Sequence, residues 1–381
     1  MRFLHTGDLH IGKRLAERSL LDDQRFVFQQ MLDIAREQAV DAVLIAGDVF
    51  DKTAPGREAL ELSEWLLAGF VAQRLPVFVV PGNHDSAQLV SYCSTVLEAS
   101  GLHVAKAYAG EVTHVRLKDA EGPVDVHLLP FVRPTDVRMA HPEDAEDIRT
   151  HDDAVRVALA HAAVDPAVRN VLVAHQFVVN GDQLPETCQS ETVSVGGIDS
   201  VQMGNFAAFD YVALGHLHGR QQVGRPQVRY SGSPVKYSFS ECSQVKSVCV
   251  VDVGVDGVTV QEVPLRPLRE MREVSGSFED LIAGSDTGDH DDYVRVRLTD
   301  RSVYDAFNRL RSVYPNLLKL DWADLENATV LAAASLADMK AKSPAELFGD
   351  FFLQQAGKEL SAEERELFDG VMASAAEGGA R

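Results

Sequence analysis

Ala42-Val43-Leu44-Ile45-Ala46-Gly47-Asp48-Val49-Phe50-Asp51 is an apolar run that stops abruptly in a glycine and two acids. An apolar stretch without alternation reads as a strand covered on both faces. The glycine lets the backbone turn sharply and bring a short side chain inward. The same pattern recurs along the chain. Phe3-Leu4-His5-Thr6 ends in Gly7-Asp8-Leu9-His10, and Val77–Val80 ends in Pro81-Gly82-Asn83-His84-Asp85. Leu172–Ala174 ends in His175, and Val212–Leu214 ends in Gly215-His216-Leu217-His218. In open α/β sheets ligands bind beyond the carboxyl ends of strands, and neighbouring strands lie ~4.8 Å apart, so these ends can converge on one pocket.

Singly, each motif has an ordinary reading: Asp-x-His as an exposed turn, a strand-end histidine as a hydrogen-bonded core residue, Gly-Asn as a hairpin turn. Together, always at a strand end, they point to a metal centre. Asp8, Asp48, Asn83 and imidazoles are oxygen and nitrogen donors suited to Mn, Fe, Zn or Co. They outnumber the needs of one ion, which predicts two ions sharing a carboxylate. Such a pair, about 3.5–4 Å apart, clamps the attacking and leaving oxygens of a phosphoryl displacement. His5, His103, His114, His127, His141, His151, His161 and His290 lack this context and read as ordinary surface or core residues.

Outward from these motifs, strands alternate with helices. Met1–Thr6, Val40–Ala46, Pro76–Val80, Val124–Leu129, Asn170–Ala174 and Tyr211–Leu214 read as strands of a central sheet buried on both faces. Asp22–Gln38, with Phe26, Met31, Ile34 and Ala35 on one side, reads as an amphipathic helix, as do Arg57–Ala72 and Asp152–Ala163. Ser247–Val253 and Val258–Val263 flank the turn Gly254-Val255-Asp256-Gly257 as a hairpin. Pro264 and Pro267 bracket a domain boundary. Beyond it, strands Leu268–Val274, Tyr293–Leu298 and Leu317–Trp322 alternate with helices Phe278–Ile282 and Ser302–Val313 in a small α+β unit.

The chain has 381 residues, 45% hydrophobic and 24% charged, enough for two or three domains. Its formal net charge of −21 excludes a general polyanion binder, because phosphate contacts need clustered Lys and Arg. No apolar run approaches the ~18 residues that cross a bilayer. The polar residues at the start do not read as a secretory signal, and four cysteines without a C-x-x-C pair make a reducing cytoplasm the expected location.

Asp8-x-His10, Gly47-Asp48-x-x-Asp51, Gly82-Asn83-His84-Asp85, His175 and Gly215-His216-x-His218 resemble the signature of the calcineurin-like metallophosphoesterase superfamily. Within it, Arg2–Gly12, Ala46–Asp51, Ala213–His218 and Tyr230-Ser231-Gly232-Ser233-Pro234 are similar to the SbcD family of bacterial nuclease subunits, over nearly the whole chain. The resemblance implies an α/β sandwich of mixed sheets flanked by helices, with a small α+β capping domain and a C-terminal helical hairpin. Its boundaries would be 1–264 for the nuclease domain, 265–325 for the cap, 326–342 for an Ala-rich linker and 343–381 for the hairpin. One metal would take Asp8, His10, Asp48 and His218, and the second Asp48, Asn83, His175 and His216. His84 would face the scissile phosphate. Asp51 stands where related phosphatases carry the acid that orients this histidine, although archaeal and eukaryotic relatives carry a histidine there. The implied ions are two Mn²⁺, with Mg²⁺ substituting weakly. The implied activity is cleavage of single-stranded and hairpin DNA and, with the coiled-coil ATPase SbcC, ATP-dependent 3′→5′ digestion of duplex ends by a homodimer.

Ser343-Pro344-Ala345-Glu346 and Ser361-Ala362-Glu363-Glu364 are capping boxes that open two short amphipathic helices. Their faces carry Leu347, Phe348, Phe351, Phe352, Leu367 and Phe368, and either dock on their own domain or bind the partner. Lys13 and Arg14 follow the first motif, and Arg220, Arg225 and Arg229 follow the last in a stretch without acids. They could be DNA-backbone contacts or a solvated face. Two other functions stay open: a phosphatase acting on a phosphoprotein or small phosphoester, and a non-catalytic architectural subunit.

Overall fold

The computed structural model describes residues 1–191, 199–300 and 302–323, with Ser361 and Phe368. Two six-stranded mixed sheets carry the architecture. In the first the order is Gly257–Pro264, Ser247–Gly254, Arg2–Thr6, Ala42–Ala46, Val77–Val80, Leu102–Val104. The last four strands are parallel to one another, and the Ser247–Gly254 strand runs antiparallel to Arg2–Thr6. In the second the order is Gln221–Val223, Arg225–Tyr230, Tyr211–Gly215, Arg169–His175, Gly122–Leu129, Thr113–Asp119, with antiparallel edges on a parallel centre.

Side-chain alternation builds the layers. Phe3, Leu44, Ala46 and Phe78 of the first sheet pack with Val126, Val171, Val173 and Ala213 of the second in one buried core. Leu4, Val43, Ile45 and Val79 point the other way, onto helices Leu21–Glu37 and Arg57–Ala72. Leu172, Ala174, Val212 and Leu214 face a third core that includes helix His151–Ala160. The fold is therefore a sandwich of two sheets with helices outside, where the strand runs alone suggested one central sheet. An apolar face is equally satisfied by a helix or by another sheet, so the runs could not say which.

Helix Leu21–Glu37 has Asp22 and Asp23 in its first turn and Arg36 in its last, which suits its dipole. Its buried stripe is Gln24, Val27, Phe28, Met31, Leu32 and Ala35. That corrects the expected face: Met31 and Ala35 belong to it, but Phe26 lies off the stripe and is 42% exposed. Ser247–Gly254 and Gly257–Pro264 pair as the expected hairpin, with Gly257 at φ +130° closing the turn. Further on, Met271–Gly276, Tyr293–Leu298 and Leu317–Trp322 form a three-stranded sheet, and the helices there are Phe278–Ile282 and the short Ala306–Leu310. The chain divides into two compact units. One is Met1–Glu273 with Gly288–Arg295 and Tyr314–Leu318; the other is Val274–Thr287, Val296–Val313 and, among described residues, 319–323. No helix among the described residues is long and apolar enough to cross a membrane.

Candidate metal centre

All five motifs leave the carboxyl ends of parallel strands, three from the first sheet and two from the second. The loops turn tightly enough to force left-handed backbone on Asp8 (φ 52°), His10 (φ 41°), Asp48 (φ 48°) and His216 (φ 108°). Such conformations cost ~1–3 kcal/mol each and cluster at functional sites. Two glycines make room: a Cβ on Gly82 would run into the Asp48 carboxylate, and one on Gly215 into the Ala46 carbonyl. The first loop is held from behind by Gln24, whose Nε2 donates to the carbonyls of Leu9 (3.0 Å) and His10 (2.8 Å), and by the Tyr237 hydroxyl on Leu9.

The donors crowd together on one rim, where Asp8 stands with His10 and His218 and also with Asp48 and His175, and His10 stands with Asp51 and His84. His10 Nε2 lies 3.1 Å from His218 Nε2 and 3.6 Å from Asp48 Oδ2. Asn83 Oδ1 lies 3.0 Å from both His175 Nε2 and His216 Nδ1, and His175 Nε2 lies 3.4 Å from Asp48 Oδ2. Asp8, His10, Asp48, His175, His216 and His218 are all buried.

The electrostatics of the polypeptide alone are those of ligands crowded together. Burial pushes the Asp8 carboxyl up and the His10 imidazole well down. His216 falls to about 3, through burial and the neighbouring His175. Burial also opposes charge on Asp48 and His175, but their mutual attraction wins, depressing Asp48 and raising His175 to about 9. Geometry agrees in direction: His175 Nδ1 donates to the Ala46 carbonyl at 2.9 Å while Nε2 faces Asn83 and Asp48 oxygens, an arrangement that favours the charged ring. Asp8 Oδ1 accepts the His216 N–H at 2.8 Å, whereas Asp8 Oδ2 and His216 Nε2 are buried with no hydrogen-bond partner among the described residues. Buried acceptors without donors are costly in a polypeptide and ordinary for metal ligands. These residues fit a dinuclear centre.

A prediction follows for metal uptake. A ligand imidazole must be neutral. The raised pKa of His175 keeps a competing proton on it up to about pH 9, and Asp8 shifts in the same sense. Apparent affinity should therefore fall as pH drops below 9, roughly tenfold per unit for each proton displaced. Titration calorimetry in buffers of different ionisation heat should show at least one proton released at pH 7.5. Affinity that is flat from pH 6 to 9 would contradict the assigned ligands.

Comparison with known families agrees with this geometry. A model of the calcineurin-like phosphoesterases matches residues 1–220. The chain belongs to the calcineurin-like phosphoesterase family. A second model, SbcD_C, the type 5 capsule protein repressor C-terminal domain, matches residues 267–356, and the two together support an SbcD-type subunit. Among solved structures, a dimetal phosphatase from Danio rerio is 10% identical, covering 69% of this chain and 95% of its own, with a TM-score of 0.40. A protein from Thermus thermophilus is 11% identical over 68% and 98%, with a TM-score of 0.37. The E. coli phosphoesterase Yfce is 13% identical over 70% and 100%, with a TM-score of 0.26. The family fold implies a dimetal centre and phosphoester hydrolysis.

In this phosphoesterase the remaining motif residues take distinct places. The His84 ring stands edge-on to His10 at 4.9 Å, and its Nδ1 donates to the Asp51 backbone carbonyl at 3.2 Å. Asp51, expected to orient this histidine, meets its ring through the backbone carbonyl. Its carboxylate, although near both His10 and His84, pairs with Lys13 Nζ at 2.7 Å, and the chain itself orients the histidine. Asp85, for which the sequence suggested no role, accepts the N–H groups of Val49 (3.0 Å), Phe50 (2.9 Å) and Gly82 (2.9 Å), tying the Asp48 loop to the Asn83 loop. Burial and the charge of Asp48 push its pKa up to about 6.

A second layer was not legible at all. His218 Nδ1 meets Ser190 Oγ at 2.7 Å, Ser190 donates to Glu241 at 2.6 Å, and the His218 N–H donates to Glu191 at 2.5 Å. The buried Lys246 ammonium closes the network on Glu241 (2.6 Å) and on the His218 carbonyl (2.9 Å). Partners of this kind fix which nitrogen a ligand histidine presents. They lie tens of residues from His218 at no recognisable spacing.

The basic residues offered as DNA contacts all have partners within the protein. Besides Lys13, Arg14 donates to the Glu17 carbonyl, and Arg225 to the carbonyls of Phe206 (3.0 Å) and Phe209 (2.6 Å). Arg220 and Arg229 both pair with Glu262, brought in from another strand. The acid-free stretch in sequence is thus neutralised in space. Leu347, Phe348, Phe351, Phe352 and Leu367, and the hairpin and linker that carry them, lie outside the described residues apart from Ser361 and Phe368.

Proposed function

We propose that this phosphoesterase is a manganese-dependent DNA nuclease that works in the cytoplasm with an SbcC-type coiled-coil ATPase. The observation that supports this reading is the crowding of Asp8, His10, Asp48, Asn83, His175, His216 and His218 on one rim, with the His84 ring beside them and anchored through Nδ1 to the Asp51 backbone carbonyl. Asp8, His10, Asp48 and His218 would hold one ion, and Asp48, Asn83, His175 and His216 the other. When bound, the ions supply Lewis acidity at the phosphoryl oxygens. The protein's own residues do the rest. The Ala46 carbonyl fixes the His175 ring, and the Ser190–Glu241 relay fixes His218. Because Nδ1 of His84 is engaged by Asp51, Nε2 is its nitrogen for sharing a proton with the leaving oxygen. The assignment takes residues 1–264 as the catalytic domain, 265–325 as the cap, and the helices beyond the 326–342 linker as the ATPase-binding element.

The test is to incubate the chain with labelled hairpin DNA and with a small phosphomonoester, each in Mn²⁺, Mg²⁺ or chelator. Cleavage of the hairpin in Mn²⁺, weaker in Mg²⁺ and absent in chelator, is the expected result. Turnover of the phosphomonoester alone would make the protein a phosphatase, and turnover of neither an architectural subunit.

A further inference from the structure

Beyond the Gly122–Leu129 strand, in the second sheet, the chain runs through Phe131 and Arg133 into helix Pro134–Ala140. The turn that follows brings Arg149 to the start of helix His151–Ala160. These residues wall a cavity of about 490 Å³ whose lining also includes Asn83 and His216, two of the candidate metal donors. Arg133, Arg138 and Arg149 all face it. Arg138 donates to the Ile148 carbonyl at 3.1 Å and Arg149 to the Glu146 carbonyl at 3.4 Å, through one nitrogen each, which leaves the remaining N–H groups of both guanidinium forks. Arg133 lies over the Phe131 ring at 5.8 Å. Asp199 is the acid in the lining, against three arginines. In an acidic chain this is a concentrated positive surface beside Asn83 and His216, two of the candidate donors.

We propose that Arg133, Arg138 and Arg149 form a subsite for the phosphate next to the one being cut, on an unpaired nucleic-acid strand. The inference rests on the phosphodiesterase reading above. The cavity adjoins Asn83 and His216, so a strand whose scissile phosphate sits there can lay its neighbouring nucleotide in it. Guanidinium forks match phosphate oxygens. Phosphate contacts position a strand without reading its sequence, so the subsite sets affinity and placement and leaves base preference unaffected. A small phosphodiester has no second phosphate and makes no use of it.

The test compares wild type with Arg133→Ala, Arg149→Ala, the double variant and Arg149→Lys, on a single-stranded oligonucleotide and on bis(p-nitrophenyl) phosphate in Mn²⁺. Each alanine variant should raise KM for the oligonucleotide by roughly tenfold and lower the salt dependence of binding by about one phosphate contact. The rate on the small diester should not change, and Arg149→Lys should recover most of the loss. Unchanged oligonucleotide KM and salt slope, with both substrates still cut, would overturn the subsite alone. A wild-type protein that cuts neither diester would overturn the phosphodiesterase reading and the subsite with it.

Discussion

Asp48→Asn should strip the protein of both ions and reduce cleavage by at least ~10³-fold, since charge stabilisation by bound metal contributes several kcal/mol. One oxygen of Asp48 faces both proposed donor groups, 3.6 Å from His10 Nε2 and 3.4 Å from His175 Nε2. The asparagine keeps the shape, and its remaining oxygen can still accept the His84 N–H that Asp48 Oδ1 accepts at 2.9 Å. It removes the charge that two cations would share. It also removes the main attraction that raises His175, so the imidazole pKa, followed by NMR on the metal-free protein, should fall from about 9. Metal analysis showing one ion still bound at full occupancy would mean that Asp48 serves a single site.

His84→Gln should behave in the opposite way: both ions retained, DNA binding retained, and cleavage lower by roughly 10²–10⁴-fold, the range for a general acid or base. The two proposed donor groups do not draw on this ring, which is anchored through Nδ1 to the Asp51 carbonyl. Because a backbone carbonyl does the anchoring, Asp51→Asn should alter cleavage far less than His84→Gln. The discriminating measurement is metal content beside single-turnover rate. Loss of an ion from His84→Gln would make this histidine a ligand.

What the sequence made legible is governed by locality. Asp8, His10, Asp48, Asn83, His175, His216 and His218 could be picked out because each follows an apolar strand directly, and strand ends in an α/β sandwich share one rim. The helix periodicity placed Leu21–Glu37 within a residue at each end but misjudged its face, since Phe26 is apolar without being on the buried stripe. Division into two sheets was hidden because Val43 and Leu44, adjacent and equally apolar, face different layers. The supports of His218 were hidden for another reason: Ser190, Glu191, Glu241 and Lys246 act through contacts that chain spacing does not encode. Charge was the most misleading signal. Arg220, Arg225 and Arg229 follow the last motif in an acid-free stretch and find partners in space, whereas Arg133, Arg138 and Arg149, scattered among acids in sequence, line one cavity with Asn83 and His216.

The shared carboxylate is tested most directly by electron paramagnetic resonance of the purified protein titrated with Mn²⁺. Two ions bridged by Asp48 should give an exchange-coupled spectrum that grows to two equivalents per chain. Saturation at one equivalent, or two independent isolated-ion signals, would contradict a dinuclear centre built on this residue.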